Sequence, residues 1–195
     1  MRNQSLRFAR EWARSPLKTG AIFPSGRMLC QLMTSGIGPF TGRIIELGAG
    51  TGSITAQLIA KGVEPPNLTV VELNPSFAEH LRRRFPGVNV VNAPAQAIGA
   101  LVPPGNDPAA GPIGAVISSL PFLSLPDDLV EQVLATSFDL MCPEGGAGGA
   151  FTFFTYGLQV PLSPQLLGRL RLNALCMGKA MLNFPPARVF TLRRI

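Results

Sequence analysis

Glu46-Leu47-Gly48-Ala49-Gly50-Thr51-Gly52, entered from the run Arg43-Ile44-Ile45, decides the fold of this 195-residue chain. A strand that ends in an acid, turns through three alternate glycines and opens a helix at Ser53 leaves backbone bare of side chains, where a nucleoside cofactor can come close. A second apolar run, Leu68-Thr69-Val70-Val71, ends in Glu72, twenty residues beyond Gly52. An acid at that place accepts hydrogen bonds from both hydroxyls of a ribose.

A dinucleotide site prefers G-x-G-x-x-G, with a pyrophosphate over the helix N-terminus, whereas here the third glycine comes one residue early. Glu46, two residues before the first glycine, would repel a pyrophosphate. It suits the cationic amino-acid end and sulfonium of S-adenosylmethionine (SAM). The segment therefore reads as a class I SAM site, with Glu46, Gly48, Gly50, Thr51, Gly52, Glu72 and Leu73 as cofactor-binding candidates and S-adenosylhomocysteine as the product.

Composition sets the bounds. A chain of 195 residues that is 46% hydrophobic supports one substantial core, and its 21 glycines and 19 prolines imply many loops. The net charge of +6 is unevenly spread. Residues 1–27 hold six basic residues against one acid, 28–168 hold five against ten, and 169–195 hold six with no acid. Two basic ends on an acidic middle favour a polyanion or an anionic membrane surface. Cys30, Cys142 and Cys176 are odd in number and unpaired by spacing, so neither a disulfide framework nor a metal site is expected, and a reducing cytoplasm fits. No span is long and apolar enough to cross a bilayer, and the basic start lacks the apolar stretch of a signal peptide.

Two parts are expected: residues 1–26, an amphipathic helix and lid loop, and 27–195, the catalytic domain. Over residues 2–14, Leu6, Ala13, Ala9, Ser5, Trp12 and Phe8 fall on one arc of a helix, with Arg10, Arg14 and Arg7 on the other. Such a helix can lie in a lipid interface. From residue 27, strands near 43–47, 68–72, 88–91, 113–118 and 149–156 alternate with helices, and two extended runs at 172–182 and 188–194 close the chain. The expected fold is a doubly wound, Rossmann-like α/β sheet of seven strands, mostly parallel, with an antiparallel C-terminal strand.

Ligands of such sheets collect beyond the carboxyl ends of the strands, where strand order reverses. That rule gathers the glycine turn with Glu72, Asn92, Ala93 and Ser118 at one crevice. The Asn92 side-chain oxygen can accept from the adenine amino group. Ser119 and Leu120 offer backbone carbonyls to an acceptor amine, and Pro121 and Phe122 line its place, with the Phe122 ring facing a cationic nitrogen. Tyr156 is the candidate to orient the amine or its released proton, or to hold a methylated cation against its ring. His80, on a helix remote from the crevice, reads as a solvated residue.

Lys18-Thr19-Gly20-Ala21-Ile22-Phe23-Pro24-Ser25, the glycine turn, Ser119-Leu120-Pro121-Phe122-Leu123-Ser124-Leu125-Pro126, Phe154-Thr155-Tyr156-Gly157 and Asn183-Phe184-Pro185-Pro186-Ala187-Arg188-Val189 resemble the bacterial phospholipid N-methyltransferases. These convert phosphatidylethanolamine to phosphatidylcholine. The resemblance extends over nearly the whole chain and implies a lipid ethanolamine substrate, SAM as donor and an N-terminal membrane helix. Under it Lys18, Thr19 and Gly20 join the cofactor site, and Phe23 and Arg188 join Pro121, Phe122 and Tyr156 around the lipid headgroup. The expected protein is a monomer, cytoplasmic and peripheral on the inner membrane face, with no stable nucleic-acid partner. The family more often has Gly where Ser119 stands and an acid where Asn92 stands. The competing readings are an RNA adenine dimethylase, which shares the Leu-Pro-aromatic stretch, and a non-catalytic membrane-binding protein of the same fold.

Overall fold

The structure is a computed structural model that describes residues 26–103, 111–141, 149–181 and 185–195. The expected helix of residues 2–14, the lid loop with Lys18, Thr19, Gly20 and Phe23, Cys142 and the Asn183-Phe184 pair lie outside the described residues.

The elements run α1 (Arg27–Met33), β1 (Arg43–Leu47), α2 (Ser53–Ala60), β2 (Leu68–Glu72), α3 (Pro75–Arg84), β3 (Asn89–Asn92), α4 (Ile98–Leu101), β4 (Ile113–Ser118), α5 (Asp127–Met141), β5 (Ala150–Thr155), α6 (Pro164–Leu170), β6 (Leu172–Ala180) and β7 (Ala187–Arg194). Seven strands form one sheet in the order β3-β2-β1-β4-β5-β7-β6. All are parallel except β7, which runs antiparallel to both β5 and β6. The doubly wound, mostly parallel sheet is as the sequence predicts, and its order reverses between β1 and β4.

Local chemistry sets the boundaries. Pro75 supplies a fixed φ at the first position of α3, and the Asn74 side chain accepts from the amides of Ser76 and Phe77. Ser163 caps α6 in the same way through the Leu166 amide, again ahead of a proline. Asp127 and Asp128 place negative charge at the positive end of α5. The third strand begins at Asn89, one residue later than expected, and a 3₁₀ turn at Pro65–Asn67 leads into β2. That turn is not apparent in the apolar pattern, because Pro-Pro-Asn carries no periodic signal.

The central strands are buried on both faces. Ile45, Leu47, Val116, Phe151 and Phe153 pack against α5, whose Val133, Leu134 and Phe138 are fully enclosed. Ile44, Val70, Ile117 and Val189 pack beneath α1 and α2 through Leu29, Met33, Ile54 and Leu58. Among the described residues no helix is long and apolar enough to cross a membrane, and no cluster of His, Cys, Asp and Glu has the makings of a metal site.

Candidate functional site

The glycine turn joins β1 to α2, and its glycines have different tasks. Gly50 adopts φ +56°, and a Cβ there would meet nothing within 4 Å, so it faces open space. Gly52 adopts φ +82°, and its Cβ would fall 2.5 Å from the Phe85 ring and 2.7 Å from Leu81. The first glycine clears an approach for a ligand; the second lets α2 close onto the end of α3. Gly48 faces the Leu120 side chain, 3.1 Å from where a Cβ would be. The Arg84 guanidinium donates to the Thr51 carbonyl at 2.6 Å and ties the turn to the end of α3.

Glu72, at the tip of β2, is 4% exposed and holds two loops with its two oxygens. Oε2 accepts from the Gly50 amide at 2.9 Å, and Oε1 accepts from the Asn74 amide at 2.8 Å. Burial pushes its carboxyl above the usual carboxylate range, and the amides of Asn74 and Gly50 act against that shift. Each oxygen retains a lone pair, which fits a carboxylate receiving ribose hydroxyls at the cleft edge.

Glu46 is placed differently. It lies on the sheet face covered by α1 and α2 and is fully buried, with Thr55 Oγ1 donating to its Oε2 at 2.7 Å. Its Oε1 is buried without a partner among the described residues. Burial, with a further contribution from the nearby Glu72 charge, raises its pKa to about 7 despite the Thr55 hydrogen bond. The buried Cys30 thiol of α1 feels that carboxylate, and burial with the Glu46 charge pushes the thiol up to about 11. Glu46 thus stands under the glycine turn as a buried acceptor rather than as part of the open cleft wall.

Asn92 ends β3 and donates through Nδ2 to the carbonyls of Glu72 at 2.8 Å and Leu73 at 3.0 Å. This leaves Oδ1 as its acceptor. An aspartate could not make those two bonds, which accounts for an amide at a position where the sequence resemblance suggests an acid. Ala93 follows and donates its amide to the Glu72 carbonyl.

Beyond β4, Ser119 donates its amide to the Leu47 carbonyl at 2.9 Å, and the buried Ser118 hydroxyl accepts from the Leu120 amide at 3.2 Å. These bonds hold Leu120 and Pro121 against the glycine turn. Gly48, Glu72, Leu73, Ala93, Leu120 and Pro121 line one cleft, and Leu125, Leu129 and Val133 supply its apolar wall. Sequence reading missed the α5 wall, together with Val71, Pro94, Ala95 and Gln96. The i, i+4 spacing of Leu129 and Val133 was the available signal, and it reads equally well as core. The cleft has the make-up of a nucleoside site: apolar sides for a base and a buried acceptor for a ribose.

One expectation needs correction. Phe122 does not face the place of a substrate nitrogen; it is 4% exposed, and its ring packs 5.0 Å from Phe153 and 6.0 Å from Phe151. Pro121 turns the chain so that the next side chain enters the core, and burial of an aromatic ring outweighs any cation–π contact at an exposed rim.

Tyr156, just past β5, is partly exposed, and its ring meets Phe154 edge-on at 5.4 Å. Burial raises its pKa above the ordinary phenol value, so the hydroxyl stays protonated at neutral pH. Arg188 pairs across from Thr155 and Lys179. Because β7 runs backwards, its first residues stand at the same end of the sheet as the cleft. The structure therefore brings Arg188 and Tyr156 to the crevice end, although neither lines the cleft itself. His80 is exposed on α3, as expected.

No family model matches the chain. An uncharacterized methyltransferase of Oceanobacillus iheyensis is 28% identical over 105 residues, 53% of this chain and 43% of that protein, so the match spans less than half of the relative's length. Among solved structures, the 1,6-didemethyltoxoflavin N1-methyltransferase of Burkholderia thailandensis, with bound S-adenosylhomocysteine, superposes with a TM-score of 0.65 at 16% identity, covering 98% of this chain and 87% of that one. A TehB-like SAM-dependent methyltransferase of Corynebacterium glutamicum gives 0.58 at 15% identity and covers all of both chains. With the sheet order and the glycine turn, these likenesses establish that the chain has the fold of the class I SAM-dependent methyltransferases.

Proposed function

We propose that this protein is a SAM-dependent methyltransferase that methylates the amine of phosphatidylethanolamine and its mono- and dimethyl derivatives, towards phosphatidylcholine, as a monomer at the inner face of the cytoplasmic membrane. The observation that carries the cofactor assignment is Glu72: a buried carboxylate, fixed by the Gly50 and Asn74 amides, at the edge of a cleft whose other wall is apolar. When bound, SAM supplies a methyl group activated by a sulfonium.

The residues of the chain divide the remaining work. Glu72 receives the ribose hydroxyls, Asn92 Oδ1 receives the adenine amino group, and Leu129 and Val133 cover the base. Gly50 keeps the approach open. Beyond β4 the Ser119 and Leu120 carbonyls accept from the substrate amine; the Leu120 carbonyl already takes the Phe122 amide and keeps one lone pair. The Tyr156 hydroxyl, held protonated, orients the amine through hydrogen bonding and does not act as the base. Alignment of this kind contributes roughly 7–11 kcal/mol in favourable cases.

The lipid assignment rests on the segments that resemble the phospholipid N-methyltransferases, and on Tyr156 and Arg188 standing at the crevice end of the sheet. Arg188 offers a guanidinium to the lipid phosphate. Residues 1–14 would supply attachment to an anionic surface, as their sequence suggests. The experiment is incubation of purified protein with methyl-labelled SAM and vesicles of phosphatidylethanolamine, with thin-layer separation of the lipids. Label in mono-, di- or trimethylated lipid supports the reading; label in added RNA and none in lipid overturns it in favour of adenine methylation. Cofactor binding by calorimetry with label in neither points to the non-catalytic alternative.

A further inference from the structure

The crevice end of the sheet carries an apolar rim that no part of the cofactor cleft uses. Leu123, at the tip of the loop after β4, is 60% exposed, and Leu158, in the loop after β5, is 77% exposed. The two loops touch: a Cβ on Gly157 would lie 3.5 Å from Leu123 Cδ1. Met181, directly after β6, is 62% exposed at the same end. Large apolar side chains in separate loops at one end of the sheet contribute nothing to a core and cost solubility, so together they mark an end of the molecule that meets something other than water.

Charge points to what that is. Lys179 and Arg188 are register partners on β6 and β7, beside Thr155, and residues 169–195 hold no acid. Leucine and methionine at loop tips beside lysine and arginine make a surface of the interfacial kind: side chains that enter the acyl boundary, with cations at headgroup level. Asp127 and Asp128 open α5 a few residues past Leu123 and limit the electrostatic part. Apolar insertion must then supply the remainder.

The geometry points to this rim, centred on Leu123 and Leu158 with Lys179 and Arg188, as the surface that docks on an anionic phospholipid bilayer and turns the crevice mouth towards it. The inference rests on the lipid-methylating reading for its purpose, but it makes a separate claim about orientation. Docking by this face would place Tyr156 and the loop after β4 at headgroup depth. A bilayer held only by residues 1–14 would leave that orientation undetermined.

The test uses the full chain with Leu123→Asp and Leu158→Asp together, both substitutions on exposed side chains, with a thermal melt to confirm folding. Sedimentation with vesicles of phosphatidylglycerol and phosphatidylethanolamine should show partitioning reduced by about tenfold or more, since two apolar side chains leave the interface. SAM affinity by calorimetry should be unchanged. Turnover should fall on vesicles and persist on short-chain phosphatidylethanolamine dispersed as monomers. Unaltered vesicle partitioning of the variant overturns the proposal, as does a change confined to self-association in sedimentation velocity. If wild-type protein docks through this rim yet methylates no lipid in either form, the surface stands and the proposed substrate falls. If it methylates the dispersed lipid without binding vesicles, the reverse holds.

Discussion

Gly50 and Gly52 look alike in sequence and should fail differently when changed to alanine. Both hold positive φ, which costs a residue with a Cβ about 1–2 kcal/mol. At Gly50 that is the whole structural cost, because the new methyl enters open space, yet the space is the ligand's. Gly50→Ala should lose at least about tenfold in SAM affinity by calorimetry, or about 1.4 kcal/mol, with a small drop in melting temperature. At Gly52 the methyl meets Phe85 and Leu81, adding about 1–3 kcal/mol of overpacking, so that variant should melt markedly earlier. Glu46 sets a pH dependence. Between its ordinary value of 4.5 and about 7 the folded protein keeps a proton that the unfolded chain has lost, so stability should decline as pH rises through that window and level off above it. Urea midpoints at pH 5 and pH 8 would measure the decline, and Glu46→Gln should flatten it. Part of the slope should remain, because Glu72 is raised by burial too. That Glu72 and the start of the glycine turn meet at one cleft was legible in the sequence, because strand ends and backbone geometry dictate it; that Gly52 serves the packing of α2 on α3 was not. Nor was the enclosure of Glu46, since it depends on how the helices on either side of β1 in the chain, α1 and α2, pack over its face, which the apolar pattern alone does not dictate.

At the level of elements, capping and packing decide which parts are firm. Asn74→Ala removes an acceptor for two amides of α3 and should cost about 1 kcal/mol in chemical denaturation. Its backbone amide still reaches Glu72, so cofactor affinity should change little. Phe122→Ala should cost about 3–5 kcal/mol, because the ring is a core group packed on Phe151 and Phe153 of β5 rather than a rim group. A Pro-Phe pair directly after a strand reads as an exposed loop, and the partners that bury it, Phe151 and Phe153, are some thirty residues away. Strands and helices were legible wherever apolar runs and caps coincided, as at Asn74-Pro75 and Ser163-Pro164. The α5 wall of the cleft was hidden because the same leucine and valine spacing serves a core and a binding face alike.

Across the whole molecule, strand order ranks local stability. β1 and β4 have neighbours on both sides and helices on both faces, whereas β3 and β6 are edges. Amide hydrogen exchange should therefore be slowest in Ile44–Leu47 and Ala115–Ser118 and fastest in β3 and β6. The antiparallel course of β7 has an effect that composition hides. Register sets Arg188 opposite Lys179 at one end, and Arg193 and Arg194 opposite Asn173 and Leu172 at the other, where Arg194 meets Asp139. The cationic tail is thus parcelled between two poles of the molecule. Counterion displacement at an anionic interface would register the pair at the near pole, while retention on a cation exchanger would register the far pole as well, so neutralising Arg193 should shift elution without altering lipid recognition.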